Sequence, residues 1–456
     1  MSGTPTAVSA PGKVLLAGGY LVLDRQYTGL VFGLSARINV VAQEIKTSKG
    51  VQLSEIIVDS PQFLEAQWRY GYHLAHGDGG IKVTQLQVGS NINKNPFVET
   101  TLAYALTYIT TAGNLKKSYT FHPAQLTILA DNAYYSQPHT SSPSSSPSLP
   151  NRFAKFPTKL KDAHKTGLGS SAALVTALTA ALLTHYLPRT AFDPASDAGK
   201  LVLHNLAQAA HCAAQGKVGS GFDVAAAVFG SCSYRRFSPA ILKDLPEVGA
   251  PGFAPALAAC VDPAFTSESG KGVWDTRVAK EGASMPGGVA LRMCDVDCGS
   301  QTVGMVKQVL KWRDETDPEG AKKLWDELQR RNEELASVLS AGRKDEIRGA
   351  VEGVRELVRE MGEKSGVPIE PRSQTELLDA LTKEVEGVYA GVVPGAGGYD
   401  ALALLVQDDE ATEERVKTFL ERWSAEKGGK VRLLDVKGEM EGVRTEELGQ
   451  YAGWIS

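Results

Sequence analysis

Lys165-Thr166-Gly167-Leu168-Gly169-Ser170-Ser171-Ala172-Ala173 runs straight into an apolar stretch dense in alanine and leucine, Leu174 to Tyr186. No other stretch of the 456-residue chain constrains its fold as strongly. Glycines at 167 and 169 let the backbone turn tightly and bring its N–H groups close to an anion with no Cβ in the way. Ser170 and Ser171 then stand at the start of a helix, whose free N–H groups and dipole favour negative charge. The physical reading is a phosphate cradle opening a buried helix, although the same residues also describe a plainly capped alanine-rich helix. The Gly-x-x-x-x-Gly-Lys-Ser/Thr spacing of the Walker loop is absent, and so is the third glycine of a dinucleotide fingerprint. A nucleotide site here therefore belongs to another class.

With 43% hydrophobic residues, a chain of this length can bury a large core, and two domains are expected. A formal charge of −4 argues against nucleic acid or an anionic membrane as a main partner. No run reaches the roughly 18 apolar residues of a membrane span, and no apolar leader follows a basic start, so a cytoplasmic location is expected. The five cysteines (212, 232, 260, 294 and 298) lack zinc-type pairing and read as reduced thiols in the core.

Taken in order, residues 8–23 contain two short apolar strand-like runs separated by Gly18-Gly19, with Lys13 at the edge of the first. Lys13 beside Pro11-Gly12 faces a glycine-rich environment that an anion could approach. Residues 31–41 read as a strand, 97–110 as a helix and 126–129 as a short strand. Residues 136–150 are low-complexity Ser/Pro sequence with little to bury, read as a disordered insertion. A helix over 201–215 leads to Gly219-Ser220-Gly221-Phe222-Asp223, which repeats the cradle's grammar: glycines and a serine opening an alanine-rich helix. Asp223 suits an N-cap and also a carboxylate that pairs with a lysine or a metal ion. A strand is expected over 231–237, and residues 241–285 read as an irregular connection between domains 1–240 and 241–456. A buried strand over 289–296 leads through Asp297-Cys298-Gly299-Ser300-Gln301-Thr302 into a helix. Two long charged helices follow at 319–340 and 344–362, the second with an apolar stripe of Ile347, Val351, Val354, Leu357, Val358 and Met361. Pro394-Gly395-Ala396-Gly397-Gly398 then precedes a strand over 401–406.

Four glycine-rich stretches in this order resemble the small-molecule kinases related to galactokinase, homoserine kinase, mevalonate kinase and phosphomevalonate kinase, the GHMP superfamily. They are Pro11-Gly12-Lys13, Gly167 to Ser171, Gly219 to Asp223 and Gly395 to Gly398. Within the superfamily the chain resembles the fungal-type phosphomevalonate kinases, on Ser9 to Lys13 with Ala17 to Leu23, Lys165 to Ala173, Gln215-Gly216-Lys217 with Ser220 to Ala226, Asp297 to Thr302, Ile369-Glu370-Pro371 with Gln374, and Pro394 to Asp400.

The resemblance implies an α+β, two-domain fold: an N-terminal α/β domain with a left-handed β-α-β unit and a C-terminal ferredoxin-like domain, the active site between them. It implies ATP-dependent, Mg²⁺-assisted conversion of 5-phosphomevalonate to 5-diphosphomevalonate in isoprenoid and sterol precursor synthesis, and no protein partner. Residue by residue, Lys13 and Asp223 match the catalytic pair. Lys165, Gly167, Leu168, Gly169, Ser170, Ser171 and Ala172 would hold the ATP phosphates, with Ser171 touching Mg²⁺. Ser220, Ser300, Thr302 and Gly397 would lie near the acceptor.

Two departures stand out. Gly18-Gly19 replaces the Gly-Glu pair of mevalonate kinases, which speaks against that activity. Gln208 and His211 occupy the helix region where those relatives carry a metal-binding Glu.

Overall fold

The structure, a computed structural model, describes residues 5–46, 54–86, 94–113, 121–136, 152–265, 274–296 and 302–455, without the side chains of residues 302 and 303. The Ser/Pro insertion beyond residue 136, Cys298 and Ser300 therefore lie outside the described residues, as does the side chain of Thr302.

The first lobe begins with the antiparallel pair β1 (Thr6–Ala17) and β2 (Gly29–Glu44). Their pairing slips register between Pro11 and Lys13, which accommodates a proline inside a strand and re-aims the lysine that follows it. The second apolar run of the opening is a short 3-10 helix, Leu21–Leu23, rather than a strand, because Gly18 and Tyr20 take left-handed backbone (φ 90° and 66°) and turn the chain. Strands β3 (Glu55–Asp59), β4 (Gln67–Leu74) and β5 (Ile81–Gln85) come next, then α1 (Pro96–Ala112) and β6 (Ala124–Ala130).

The cradle opens α2 (Ser170–Tyr186), which is packed between the sheet and neighbouring helices and buries residues all round, from Ala172 to Leu183. Helices α3 (Asp197–Gln215) and α4 (Phe222–Phe229) and strand β7 (Cys232–Arg235) complete this lobe.

The connection is more regular than its composition suggests. It contains α5 (Ala240–Lys243), α6 (Phe253–Val261) and β8 (Arg277–Ala279). Phe253, Leu257 and Val261 bury α6 against α1 and α3, so its apolar spacing decides the structure despite the surrounding Pro and Gly.

The second lobe runs β9 (Val289–Val296), α7 (Thr302–Lys311), α8 (Pro318–Ser340), α9 (Ile347–Ser365), α10 (Arg372–Glu384), β10 (Val388–Val392), β11 (Ala401–Gln407), α11 (Glu410–Lys427) and β12 (Val431–Glu439). Its strands stand in the order β10-β11-β9-β12, all antiparallel, which is the ferredoxin-like arrangement. The end of β12 pairs with β2 at Gly438 and Glu439, so the two lobes share a continuous sheet within an α+β fold.

The chain then crosses back to the first lobe: β13 (Arg444–Thr445) pairs with β1, and the Tyr451 hydroxyl donates to Asn39 Oδ1 at 2.9 Å. Buried Arg37 holds this return in place, with Nε donating to Ser9 Oγ at 2.7 Å and Nη1 to Glu439 at 3.0 Å. No described helix is long and apolar enough to cross a membrane.

Candidate active site

Gly167 and Gly169 both take left-handed backbone, with φ of 75° and 80°. Gly169 is the cap of α2 and provides no side-chain hydrogen bond, so the first N–H groups of the helix stay open to an anion. Helix α3, by contrast, is closed by Ser196, whose side chain accepts from Gly199. Ser170 and Ser171 are thus the first two helical residues rather than the cap itself. Ala172 is buried beneath them.

The bulged strand β1 passes directly under the cradle. The Lys13 N–H donates to the Leu168 carbonyl at 2.9 Å, and a Cβ on Gly12 would stand only 2.8 Å from that same oxygen. The Lys13 side chain fills the space beside Gly169, where an added Cβ would lie 2.9 Å from Lys13 Cε, and its Nζ donates to the Gly167 carbonyl at 3.2 Å. Gly12 is therefore required by contact between cradle and strand, and Gly169 by that contact as well as by the turn.

Burial lowers the Lys13 pKa from its ordinary value, and the negative charge of Asp223 opposes that shift. Nζ also lies 5.6 Å from the centre of the Phe222 ring, so the ammonium stands over the first turn of α4. Asp223 is the second residue of that helix. Gly221, at φ 83°, takes the cap position expected for it, and Asp223 Oδ1 accepts from the Val224 N–H at 3.0 Å. The preceding loop is tied down from outside: Tyr234 donates to the Ser220 carbonyl at 2.7 Å and Arg236 to the Gly219 carbonyl at 2.8 Å.

Ser171 Oγ lies 3.1 Å from Nε2 of His211, a buried residue of α3. Gln208, one turn earlier, donates to Cys212 Sγ at 3.2 Å, and its buried carbonyl oxygen has no partner among the described residues. Among the described residues, no group of three His, Cys, Asp or Glu side chains is arranged to hold a metal. The four described cysteines are free and buried.

From the second lobe, Gly395 to Gly398 reach the end of β1. Gly397, at φ 81°, sits so close to Ile369 that a Cβ would meet its carbonyl oxygen at 2.2 Å. The structure thus groups Lys13, the cradle and the Asp223 turn, and sets Gly397 on the facing lobe. Thr302 opens α7.

A pocket of about 190 Å³ adjoins the cradle, and local sequence gives little sign of it. Lys165, Ser170 and Ser171 line it together with Trp68, Phe97, Tyr135 and two further lysines, Lys94 and Lys161. Burial lowers the pKa of Lys165. These residues come from strands, two helices and loops far apart in the chain. The only local signal was an Asn95-Pro96-Phe97 helix start, in which Asn95 accepts from Val98.

The family model for the GHMP kinases N terminal domain matches residues 156–231, and that for the GHMP kinases C terminal matches residues 344–426. The chain is 65% identical to phosphomevalonate kinase of Gibberella zeae, over 98% of each chain. It is 47% identical to that of Aspergillus fumigatus over 99% of this chain and 98% of the relative, and 36% identical to that of Candida albicans over 98% and 99%. Among solved structures, a Listeria innocua protein aligns with TM-score 0.65 at 18% identity, over 97% of this chain and 100% of the other. Streptococcus pneumoniae phosphomevalonate kinase in complex with phosphomevalonate and AMPPNP aligns with TM-score 0.59 at 17% identity, over 96% and 99%. The solved structures share the fold, and the full-length identity to the fungal relatives places the chain in the phosphomevalonate kinase family of the GHMP kinases.

Proposed function

We propose that this protein transfers the γ-phosphoryl group of ATP to the phosphate of (R)-5-phosphomevalonate, yielding (R)-5-diphosphomevalonate and ADP, on the mevalonate route to isoprenoids and sterols. The observation that carries this reading is 65% identity along essentially the whole of a fungal phosphomevalonate kinase. Its two domains meet after residue 285 rather than at 240, because α6 packs on α1 and α3 and β8 pairs with β7 of the first lobe.

An oxygen of the acceptor phosphate attacks the γ-phosphorus, and the bond from that phosphorus to the ADP oxygen breaks. Such a loose transition state asks mainly for alignment and charge neutralisation. The triphosphate lies on the open N–H groups of Gly167 to Ala172, with Lys165 beside it. Lys13, anchored between the cradle and the first turn of α4, screens two anions as they approach. A phosphate monoester has a second pKa of about 6, so at neutral pH the acceptor carries little proton to remove. Asp223 accordingly holds Lys13 in its charged form rather than acting as a base. Ser220 and Gly397 would face the acceptor, and the family resemblance adds Ser300 and Thr302.

Mg²⁺ keeps water and phosphate ligands and needs only one or two protein oxygens, so the lack of a carboxylate cluster among the described residues does not conflict with it. Ser171 and Asp223 would hold the ion. One lone pair of the Ser171 hydroxyl remains available beside its contact with His211. When bound, the ion neutralises charge on the triphosphate.

The pocket lined by Phe97, Trp68 and Tyr135 takes the nucleoside. Phe97→Ala is expected to raise KM for ATP about tenfold through lost ring contact, with KM for 5-phosphomevalonate unchanged. Steady-state kinetics with each substrate varied in turn checks this. The deciding experiment for the function is a coupled ADP-release assay with ATP and Mg²⁺, offering 5-phosphomevalonate, mevalonate and 5-diphosphomevalonate separately. Release with 5-phosphomevalonate alone is expected, and silence with all three acceptors overturns the reading.

A further inference from the structure

The contact between the lobes at the far end of β1 depends on two adjacent residues. Gly19 has no room for a side chain: an added Cβ would stand 2.2 Å from the Gly395 carbonyl oxygen. Tyr20 is held at φ 66°, a left-handed conformation that a bulky residue adopts only under constraint from its surroundings. The constraint is visible. Gly18, at φ 90°, is wedged against Thr28 and Gly29, and the 3-10 turn closes through Val22 N–H to the Gly18 carbonyl (3.1 Å) and Leu23 N–H to the Tyr20 carbonyl (2.9 Å).

The result of this turn is that the buried Tyr20 hydroxyl donates to the Ala396 carbonyl at 2.6 Å. A second bond from the same loop, Gly395 N–H to the Leu15 carbonyl at 3.0 Å, lands two residues from Lys13 on the same strand. On its other side the loop is held by its own lobe. Gly398 N–H donates to the Ile369 carbonyl at 2.9 Å and Gln374 Nε2 to the Tyr399 carbonyl at 2.9 Å. Burial raises the Tyr20 pKa, so the phenol remains a neutral donor.

We infer that Gly19 and Tyr20 are positioning residues for the phosphorylated acceptor: together they set how closely the Gly395–Gly398 loop stands to Lys13, and hence the width of the acceptor end of the cleft. This rests on the reading of that loop as the acceptor-side wall. The Tyr20 strain and the absence of a side chain at 19 serve one purpose. Each lets a second-lobe carbonyl approach the chain just after the strand that carries the lysine, and neither lines the pocket beside the cradle.

The test is steady-state kinetics of Tyr20→Phe and Gly19→Ala with thermal unfolding of each, beside the wild type. Tyr20→Phe keeps the ring and removes one cross-lobe hydrogen bond. It is expected to raise KM for 5-phosphomevalonate about tenfold, with KM for ATP within about twofold of wild type. Gly19→Ala, which must push the loop away, is expected to raise the acceptor KM further in the same direction. An unchanged acceptor KM in Tyr20→Phe, or an equal rise in both KM values, overturns the inference, including where Gly19→Ala fails to fold. A wild type inert toward 5-phosphomevalonate overturns the functional reading itself and this inference with it, an outcome distinct from an active wild type whose Tyr20→Phe variant is unaltered.

Discussion

Replacing Lys13 with methionine is expected to lower kcat by about 10²- to 10³-fold, the cost of removing one preorganised charge from a site where negative charge gathers. Methionine keeps most of the stem that packs beside Gly169, so the cradle and the Leu168 contact with β1 are retained. Among the described residues Nζ makes a single hydrogen bond to protein, to the Gly167 carbonyl, so little of the described fold depends on it. ADP release and thermal unfolding measured on the same preparation separate the two effects. Near-normal turnover would remove Lys13 from the mechanism.

Asp223→Asn is expected to lower kcat by about 10²-fold and to move the alkaline limb of its pH profile to lower pH. The sign follows from the groups involved. Lys13 acts as an ammonium, its pKa is already lowered by burial, and Asp223 is the charge that raises it. Activity is therefore present below the Lys13 pKa and lost as pH rises through it, and removing the Asp223 charge lets that pKa fall further. Asparagine can still accept from the Val224 N–H, so the helix turn is preserved. If Asp223 were instead the base for the acceptor, the deficit would be largest at low pH, where the phosphate is protonated, and the alkaline limb would stay in place. A pH series on wild type and variant distinguishes the two.

Much of the site could be read from residues in local runs. Gly167 to Ser171 opens a helix as its composition demands, because glycine conformations and an alanine-leucine run are properties of neighbours in the chain. The strand over 289–296 and the helix starting near 319 appear where their apolar spacing puts them, and Ile347, Val351, Val354 and Met361 are buried as a stripe. Asp223 is not the N-cap: a left-handed Gly221 caps the helix, and the Asp223 carboxylate accepts from the Val224 N–H while its charge bears on Lys13. Helix α6 was hidden by Pro and Gly around it. Its burial against α1 and α3 is a tertiary effect that local composition does not report.

The sequence by itself determined the local elements: a glycine-led helix start, a lysine beside Pro-Gly, an aspartate in a second glycine-led helix and a glycine loop, in one recognisable order. Tertiary structure alone decided their geometry. The pocket beside the cradle draws on residues from Ile38 to Leu174, and a cross-lobe bond joins Tyr20 to Ala396. The β12–β2 pairing merges the lobes into one sheet. Local spacing carries information over one or two turns, whereas each of these contacts depends on how distant segments pack, so each becomes visible only once the chain is folded.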